Sequence, residues 1–400
     1  MKYSKEEVMQ YVSEEDVKFV RMAFCDVFGK QKNISVMPCE LERAFRYGIT
    51  IDASAVAGFG GNVRSDLILH PDPSTLSLLP WRPEHGRVVR MFCNITYPDN
   101  TPFENDTRNI LINAISKAEK KGIHFYFGSE MEFYLFKRDE DGDPTFIPYD
   151  NAGYMDIAPE DKGENVRREI CLTLEQMGII PESSHHEEGP GQNEIDFRYS
   201  DPLRAADDSV TFKSVVNTVA SRSGLYADFS PKPLVDFAGN GMHINVSARA
   251  NDKRDVMPQV IQGILSHIKE MTLFLNTTEE SYKRFGSNKA PKYVSWGKGN
   301  RSQLIRIPAA EADNLRAELR SPDPMCNPYL AYALVIFAGL SGLEKNAGLM
   351  PETDCNMYEI SKSEKFETLP TTLAEAADIA KSSSFISKVL PESIIKAYLK

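Results

Sequence analysis

The sequence predicts an α+β protein, with a small N-terminal β domain over residues 1–104 and a larger domain over 105–400 in which helices back a sheet. Three observations lead there. The first hundred residues read as short strands and turns. Beyond them, helical-period segments mix with strand-like ones, without internal repeat or low-complexity tract. Finally, four strand-like stretches carry acidic or imidazole side chains two residues apart: Gly128–Phe133, Asn193–Phe197, Gly241–Asn245 and Arg316–Arg320. Successive strand side chains face opposite ways, so in each stretch one face packs on a core and the other presents polar groups.

Taken in order, Val17–Asp26 and Ile34–Met37 are strand-like and Leu41–Tyr47 is helical. Leu67–Leu69, Leu76–Leu79 and Val88–Thr96 add short strands, and Tyr97-Pro98-Asp99-Asn100 marks a turn. The segment Pro102–Asp106 forms the domain boundary, with Asp106 as the N-cap of a helix whose apolar face is Leu111, Ala114, Ile115 and Ala118. Gly122 stops that helix. Further helices are expected over Glu164–Met177, Asp207–Ser223, Val256–Phe274 and Pro328–Leu343.

Composition narrows the function classes. The hydrophobic fraction of 42% and charged fraction of 26% are those of a globular chain. With a net charge of -11 and no dense Lys/Arg block, nucleic acid is excluded as a partner. No apolar run is long enough to span a bilayer, and Met1–Glu7 runs into charged sequence without a signal region. Cys25, Cys39, Cys93, Cys171, Cys326 and Cys355 lack CxxC spacing and read as thiols in a reducing cytoplasm.

Glu130, Glu132, Glu194, Glu318 and His243 lie on the polar faces of the four stretches. One carboxylate alone reads as a solvated surface residue, and His243 alone as a hydrogen-bonded structural histidine. Together they describe a wall of converging carboxylates, which repel one another unless cations sit between them. Glu130 and Glu132 also lie among Phe125, Phe127, Phe133 and Leu135, where charges need partners. His185–Glu194 folds through a Gly-Pro turn that lets Glu187 and Glu194 reach one ion. Oxygen ligands with one imidazole suit Mg²⁺ or Mn²⁺ better than zinc. Arg301, Arg306, Arg316 and Arg320 supply the guanidinium forks that grip phosphates and carboxylates. Arg306 sits inside an apolar strand, which argues against a surface ion-pair role.

In their order and spacing, these motifs resemble the type I glutamine synthetases of bacteria and archaea over nearly the whole chain. The carrying segments are Ile51–Phe59, Gly128–Phe133, His185–Glu194, Pro231–Leu234, Gly239–His243, Asn300–Ser302 with Arg306–Pro308, and Arg316–Pro324. The resemblance implies a β-grasp-like N-terminal domain and a catalytic domain built on an antiparallel, open-barrel sheet. It implies Glu132, Glu187 and Glu194 around one metal, and Glu130, His243 and Glu318 around a second. Gly239, Arg284, Arg306 and Arg320 would contact glutamate. Arg301, Arg306 and Arg316 would address the ATP phosphates, with Glu182, Phe197 and Ser247 nearer the nucleotide. Asp52 would bind and activate ammonium in a neighbouring subunit's funnel, and Arg301 and Arg320 complete the catalytic set. A hexameric ring or double-ring dodecamer with active sites at subunit interfaces follows from the resemblance, as do ATP and two or more Mg²⁺ or Mn²⁺ ions per site.

The chain also departs from the family pattern. Lys289 stands before Ala290-Pro291, where relatives usually carry a flap glutamate that takes the ammonium proton, and the loop is one residue shorter. Ala55 replaces a serine beside the ammonium aspartate, and Ala238 an asparagine before Gly239. The segment after Ser247 is shortened, and the chain stops at Lys400 where relatives continue in a helical segment that locks two rings together. Tyr358 matches an adenylylated tyrosine of one subgroup only partially and reads as structural. The expected activity is an ATP-dependent ligation of ammonia to glutamate through γ-glutamyl phosphate. The alternatives are a γ-glutamyl ligase for another amine, which Lys289, Ala55 and Ala238 favour, and a catalytically weak sensor, which the full ligand set disfavours.

Overall fold

A computed structural model describes residues 3–60, 65–82, 85–287, 289–309, 316–360 and 366–399. The N-terminal unit comprises α1 (Lys5–Glu14), β1 (Val17–Cys25), β2 (Gln31–Val36), α2 (Leu41–Tyr47), β3 (Ile49–Asp52), β4 (Asp66–Pro71), β5 (Ser77–Leu78) and β6 (Arg87–Thr96). Its sheet runs β2-β1-β6-β4-β3, with β5 on β6, and β1 lies parallel to β6. This is the expected β-grasp arrangement, with two elements, α1 and β3, that the sequence reading overlooked. Lys5–Glu14 is helical because Ser4 and Glu7 form a reciprocal capping box, and its Val8 and Val12 are buried. β3 was likewise not expected as a strand, whereas α2 spans the expected residues.

The larger unit continues with α3 (Thr107–Glu119), β7 (Ile123–Arg138), β8 (Pro144–Pro148), α4 (Glu164–Gln176), β9 (Pro181–His186), β10 (Gln192–Phe197), α5 (Pro202–Arg222), β11 (Leu225–Asp228), β12 (Met242–Ala250), α6 (Met257–Leu275), α7 (Glu279–Arg284), β13 (Trp296–Lys298), β14 (Ile305–Ile307), β15 (Ala317–Leu319), α8 (Pro328–Glu344), α9 (Leu373–Ser382), α10 (Ser384–Val389) and α11 (Glu392–Tyr398). Asp106 caps α3 as expected, its carboxylate accepting from Arg108 N. α5 begins five residues before its expected start, because the Asp201 carboxylate caps Pro202 onward at Arg204 N. The last three helices were not anticipated.

A nine-stranded sheet runs β13-β14-β15-β12-β7-β10-β9, with β8 and β11 on β7. It is antiparallel except for the parallel pair β13–β14. Its apolar face, with Met131, Phe133, Met242 and Ile244 fully buried, is backed by helices. Tyr332 of α8 stacks on Phe127 at 4.5 Å and hydrogen-bonds Ser209 of α5 at 3.1 Å and Ser129 of β7. α8 is apolar all round, so it lies inside the molecule rather than on its surface. It crosses α6 closely because Gly263 and Gly342 face each other. A Cβ on Gly263 would lie 2.1 Å from the Ala338 carbonyl oxygen.

Candidate active site

The four polar-faced stretches fall on β15, β12, β7 and β10, which are contiguous in the sheet. Register then aligns their side chains in rows. Asp196, Glu130 and His243 oppose one another in sequence across β10, β7 and β12, and His185, Glu194 and Glu132 across β9, β10 and β7. A third row joins Asn245, Glu318 and Arg306. Directly paired side chains start about 5 Å apart at Cβ, so each row forces its charges together. Ligand atoms of Glu130, His243 and Glu318 all lie within 4.8 Å of one another, as do those of His185, Glu187 and Glu194, and of Glu130, Glu194 and Asp196.

The electrostatics of the wall fit a divalent cation. Burial, aided by the charge of Glu187, pushes the Glu132 carboxyl up to about 7. Glu194 is raised well above the carboxylate range by burial and by Glu132 and Asp196. Asp196 reaches about 6 through burial and the charge of Glu130. For Glu130 burial works the same way, but the hydrogen bond and charge of His243, with Asn245 and Arg320, outweigh it and hold the group at about 2. Carboxylates that cannot all ionise beside one another are the donor set that Mg²⁺ or Mn²⁺ relieves.

The first metal-sized group is the expected one, Glu130, His243 and Glu318. In the second, His185 joins Glu187 and Glu194, while Glu132 accepts from Gly241 N at 2.7 Å and Gln192 Nε2 at 3.3 Å. Glu318 is fully buried with both oxygens engaged, one by Arg306 Nη1 at 2.7 Å and the other by Arg320. Its separation from His243 Nδ1 is 3.5 Å.

Apart from Glu318, these groups border a cavity of about 390 Å³, which Gly239, Arg284, Arg301, Arg306, Arg316 and Arg320 also line. Arg284 is buried and donates to the Ser321 carbonyl at 3.0 Å. Gly239 is required beside it, since a Cβ there would lie 2.5 Å from Arg284 Cγ and 2.3 Å from the Pro231 carbonyl oxygen. Arg316 Nε donates to Asn245 Oδ1 at 2.9 Å, and Arg301 is exposed at the rim.

Five expected site residues stay outside the lining, the first being Glu318, which lies fully buried behind Arg306 and Arg320. Asp52 is exposed in the N-terminal unit and accepts from Ser54 N at 2.9 Å. Glu182 is exposed on the edge strand β9. Phe197 turns to the apolar side, its ring 5.5 Å from Phe212 and 3% exposed, so it offers the cavity no aromatic face. Ser247 shares the strand face of His243 but lies two steps beyond Asn245.

Asp196, His185, Glu188, Tyr154 and Lys289 also line the cavity. Asp196 was legible as the residue two beyond Glu194 on the same face, whereas His185 acquires its place only through cross-strand pairing. A buried network braces the turn between β9 and β10. His186 contacts Asp150 at 2.9 Å and the Glu187 carbonyl at 2.7 Å, while Arg167 joins Asp161 to Asn193. In the flap loop, Asn288 lies outside the described residues.

A sheet-borne acidic wall facing an arginine set has the donor chemistry of an enzyme site suited to divalent cations and to phosphate- and carboxylate-bearing substrates. Comparison with known proteins specifies the family. Residues 16–98 match the glutamine synthetase beta-Grasp domain, and residues 104–400 match the glutamine synthetase catalytic domain. A glutamine synthetase from Methanosarcina mazei is 44% identical, over 99% of this chain and 92% of that one. One from Clostridium saccharobutylicum is 41% identical, over 100% and 94%. A solved structure of GmaS in complex with ADP superposes with a TM-score of 0.89 at 28% identity, covering 98% of this chain and 93% of that one. The chain belongs to the glutamine synthetase family, in its type I form. It is an ATP-dependent ligase acting on glutamate, of the glutamate–ammonia ligase class.

Proposed function

We propose that the chain makes glutamine, joining ammonia to the γ-carboxylate of glutamate with conversion of ATP to ADP and phosphate. The observation that carries this reading is the single cavity in which the acidic wall meets five arginines. Glu130, His243 and Glu318 would hold one divalent cation, and Glu132, Glu187 and Glu194 another, with His185 and Asp196 as further donors. Bound Mg²⁺ or Mn²⁺ would neutralise the triphosphate and the charge that develops on its terminal phosphoryl group.

Arg284 and Arg320, with the backbone at Gly239, orient glutamate so that its γ-carboxylate faces the terminal phosphorus. Arg301, Arg306 and Arg316 grip the phosphate oxygens. Attack by the γ-carboxylate breaks the bond to ADP and yields γ-glutamyl phosphate. Ammonium must lose a proton before its nitrogen can displace phosphate, a role for Asp52 of a neighbouring copy. That assignment requires an oligomer, a hexameric ring or a double ring, and the exposed position of Asp52 supports it. We place the nucleotide beside Glu182, Phe197 and Ser247, the domain boundary at 104/105, and the protein in the cytoplasm, where its buried thiols Cys25, Cys93 and Cys326 suit a reducing medium.

A second reading, ligation of a larger amine, is favoured by Lys289 at the cavity rim. Phosphate release with ATP, Mg²⁺ and glutamate, with ammonium or each of a panel of amines, decides between them. Strong stimulation by ammonium is expected. Stimulation by larger amines alone would establish the second reading, and no turnover with any amine would point to the sensor.

A further inference from the structure

Arg90 on β6 is a buried cation, 6% exposed, whose charge has no carboxylate of its own. Nη1 donates to Thr211 Oγ1 at 2.6 Å, and the guanidinium carbon lies 4.1 Å from the centroid of the Phe92 ring, which covers one face. Nε makes no hydrogen bond, and among the described residues no ion pair reaches this side chain. Burial pulls the guanidinium below its ordinary range, and the nearby charges of Asp207 and Asp208 offset that only in part. Neither acid is free to turn toward it. Arg108 grips Asp207 through Nε at 3.1 Å and Nη2 at 3.0 Å, and the Tyr329 hydroxyl donates to the same carboxylate at 2.6 Å. Asp208 accepts from Arg204 Nε at 2.8 Å. A buried charge left in this state is costly, and an anion brought to its open edge relieves the cost.

The space for such an anion is present. Arg90 borders a cavity of about 300 Å³ between the N-terminal unit and α5, which shares no lining residue with the acidic one. Half-buried Leu76, Leu203 and Arg204 leave it an opening to solvent. Apart from Arg90 and the already paired groups, its walls are largely apolar, with Leu76, Phe92, Met177, Ile179 and Leu203. A pocket of this kind takes a ligand with one polar anchor and an apolar body. A second negative charge on that ligand would fall among apolar side chains or beside Asp208.

We propose that this junction cavity is a binding site for a small monocarboxylate with an apolar tail, whose carboxylate accepts from Arg90 Nε while the tail lies against Phe92, Met177 and Ile179. The ligand touches β6 of the N-terminal unit and α5 of the catalytic unit at once, so its binding fastens the two together. This site stands apart from the acidic wall and does not rest on the ligase reading.

Calorimetric titration of the full-length protein with sodium 4-methylpentanoate tests it. One-site binding is expected with a Kd of about 1 mM or tighter, accompanied by a rise in melting temperature. Arg90→Met should weaken binding about tenfold or more by removing the charge-assisted hydrogen bond. Leu76→Trp, which fills the cavity and leaves Arg90 in place, should weaken it about fivefold or more. In both variants KM for glutamate should stay within about twofold, a split that general damage to the fold would not produce. The neutral isostere 4-methylpentan-1-ol should bind about tenfold more weakly than the acid. Absence of binding, or a Kd unchanged in both variants, would overturn the site, as would competition between the probe and glutamate. Equally tight binding of inorganic phosphate would overturn the apolar-tailed ligand.

Discussion

Gly239 shows how one missing Cβ shapes a substrate contact. The Arg284 side chain runs through the space a larger residue would fill, and its buried guanidinium has few positions open to it. Gly239→Ala is therefore expected to displace Arg284, raising KM for glutamate at least tenfold while KM for ATP changes little. An unchanged glutamate KM would separate Arg284 from substrate recognition. At this scale the sequence exposed the carboxylates well, because Glu130, Glu132, Glu194, Asp196, His243 and Glu318 each sit at alternate positions of an apolar strand. It did not expose Glu188 or Tyr154, whose place depends on a turn and on the Lys289 side chain reaching across it. Phe197 shows the other side of the same rule: the alternation that directs Glu194 and Asp196 into the cavity directs the Phe197 ring onto Phe212.

Among the elements, α6 and α8 decide how firmly the catalytic sheet is backed. Their close crossing depends on Gly263 and Gly342, where backbone meets backbone. Gly263→Ala would push a methyl group against the Ala338 carbonyl and cost about 1–3 kcal/mol as the helices separate. Denaturant unfolding should report that loss, and a variant as stable as the parent would show that the crossing relaxes freely. Strong periodicity made the long helices legible to within a few residues at most ends. Elements defined by caps and pairing were less so. α1 is announced only by its capping box, Asp201 sets the start of α5, and β7 extends through sixteen residues of which six were recognised.

For the molecule as a whole, the acidic wall couples stability to pH and to metal. Glu132 and Asp196, raised to about 7 and 6, keep protons in the metal-free folded state that the unfolded chain releases above about pH 4. Their contribution to stability is present below that pH and is lost as pH rises through about 6 to 7. Glu130, held at about 2, is ionised in both states across this window and adds no slope. The melting temperature of metal-free protein should thus fall between pH 5 and 7, and Mg²⁺ should raise it more at pH 7.5 than at pH 5. A Mg²⁺ effect independent of pH would contradict the repulsion argument. Assembly gives a second expectation. If Asp52 serves the cavity of a neighbouring copy, Asp52→Ala and Arg320→Ala proteins should each be nearly inactive, while rings co-assembled from both recover activity. Failure of mixed rings to recover would confine Asp52 to its own chain.

By itself, the sequence determined the division into a small β unit and a larger α+β unit, the identity of the acidic and cationic groups, and the family. Those features depend on local period, on residue chemistry and on the order of short motifs, all of which are written along one dimension. Tertiary structure alone decided that the four polar-faced strands are neighbours, which rows their charges form, and that Glu318 sits between two arginines. It also decided that Lys289 reaches Glu188. Strand pairing and turn geometry set those distances, and they join residues whose separation along the chain carries no trace of the contact.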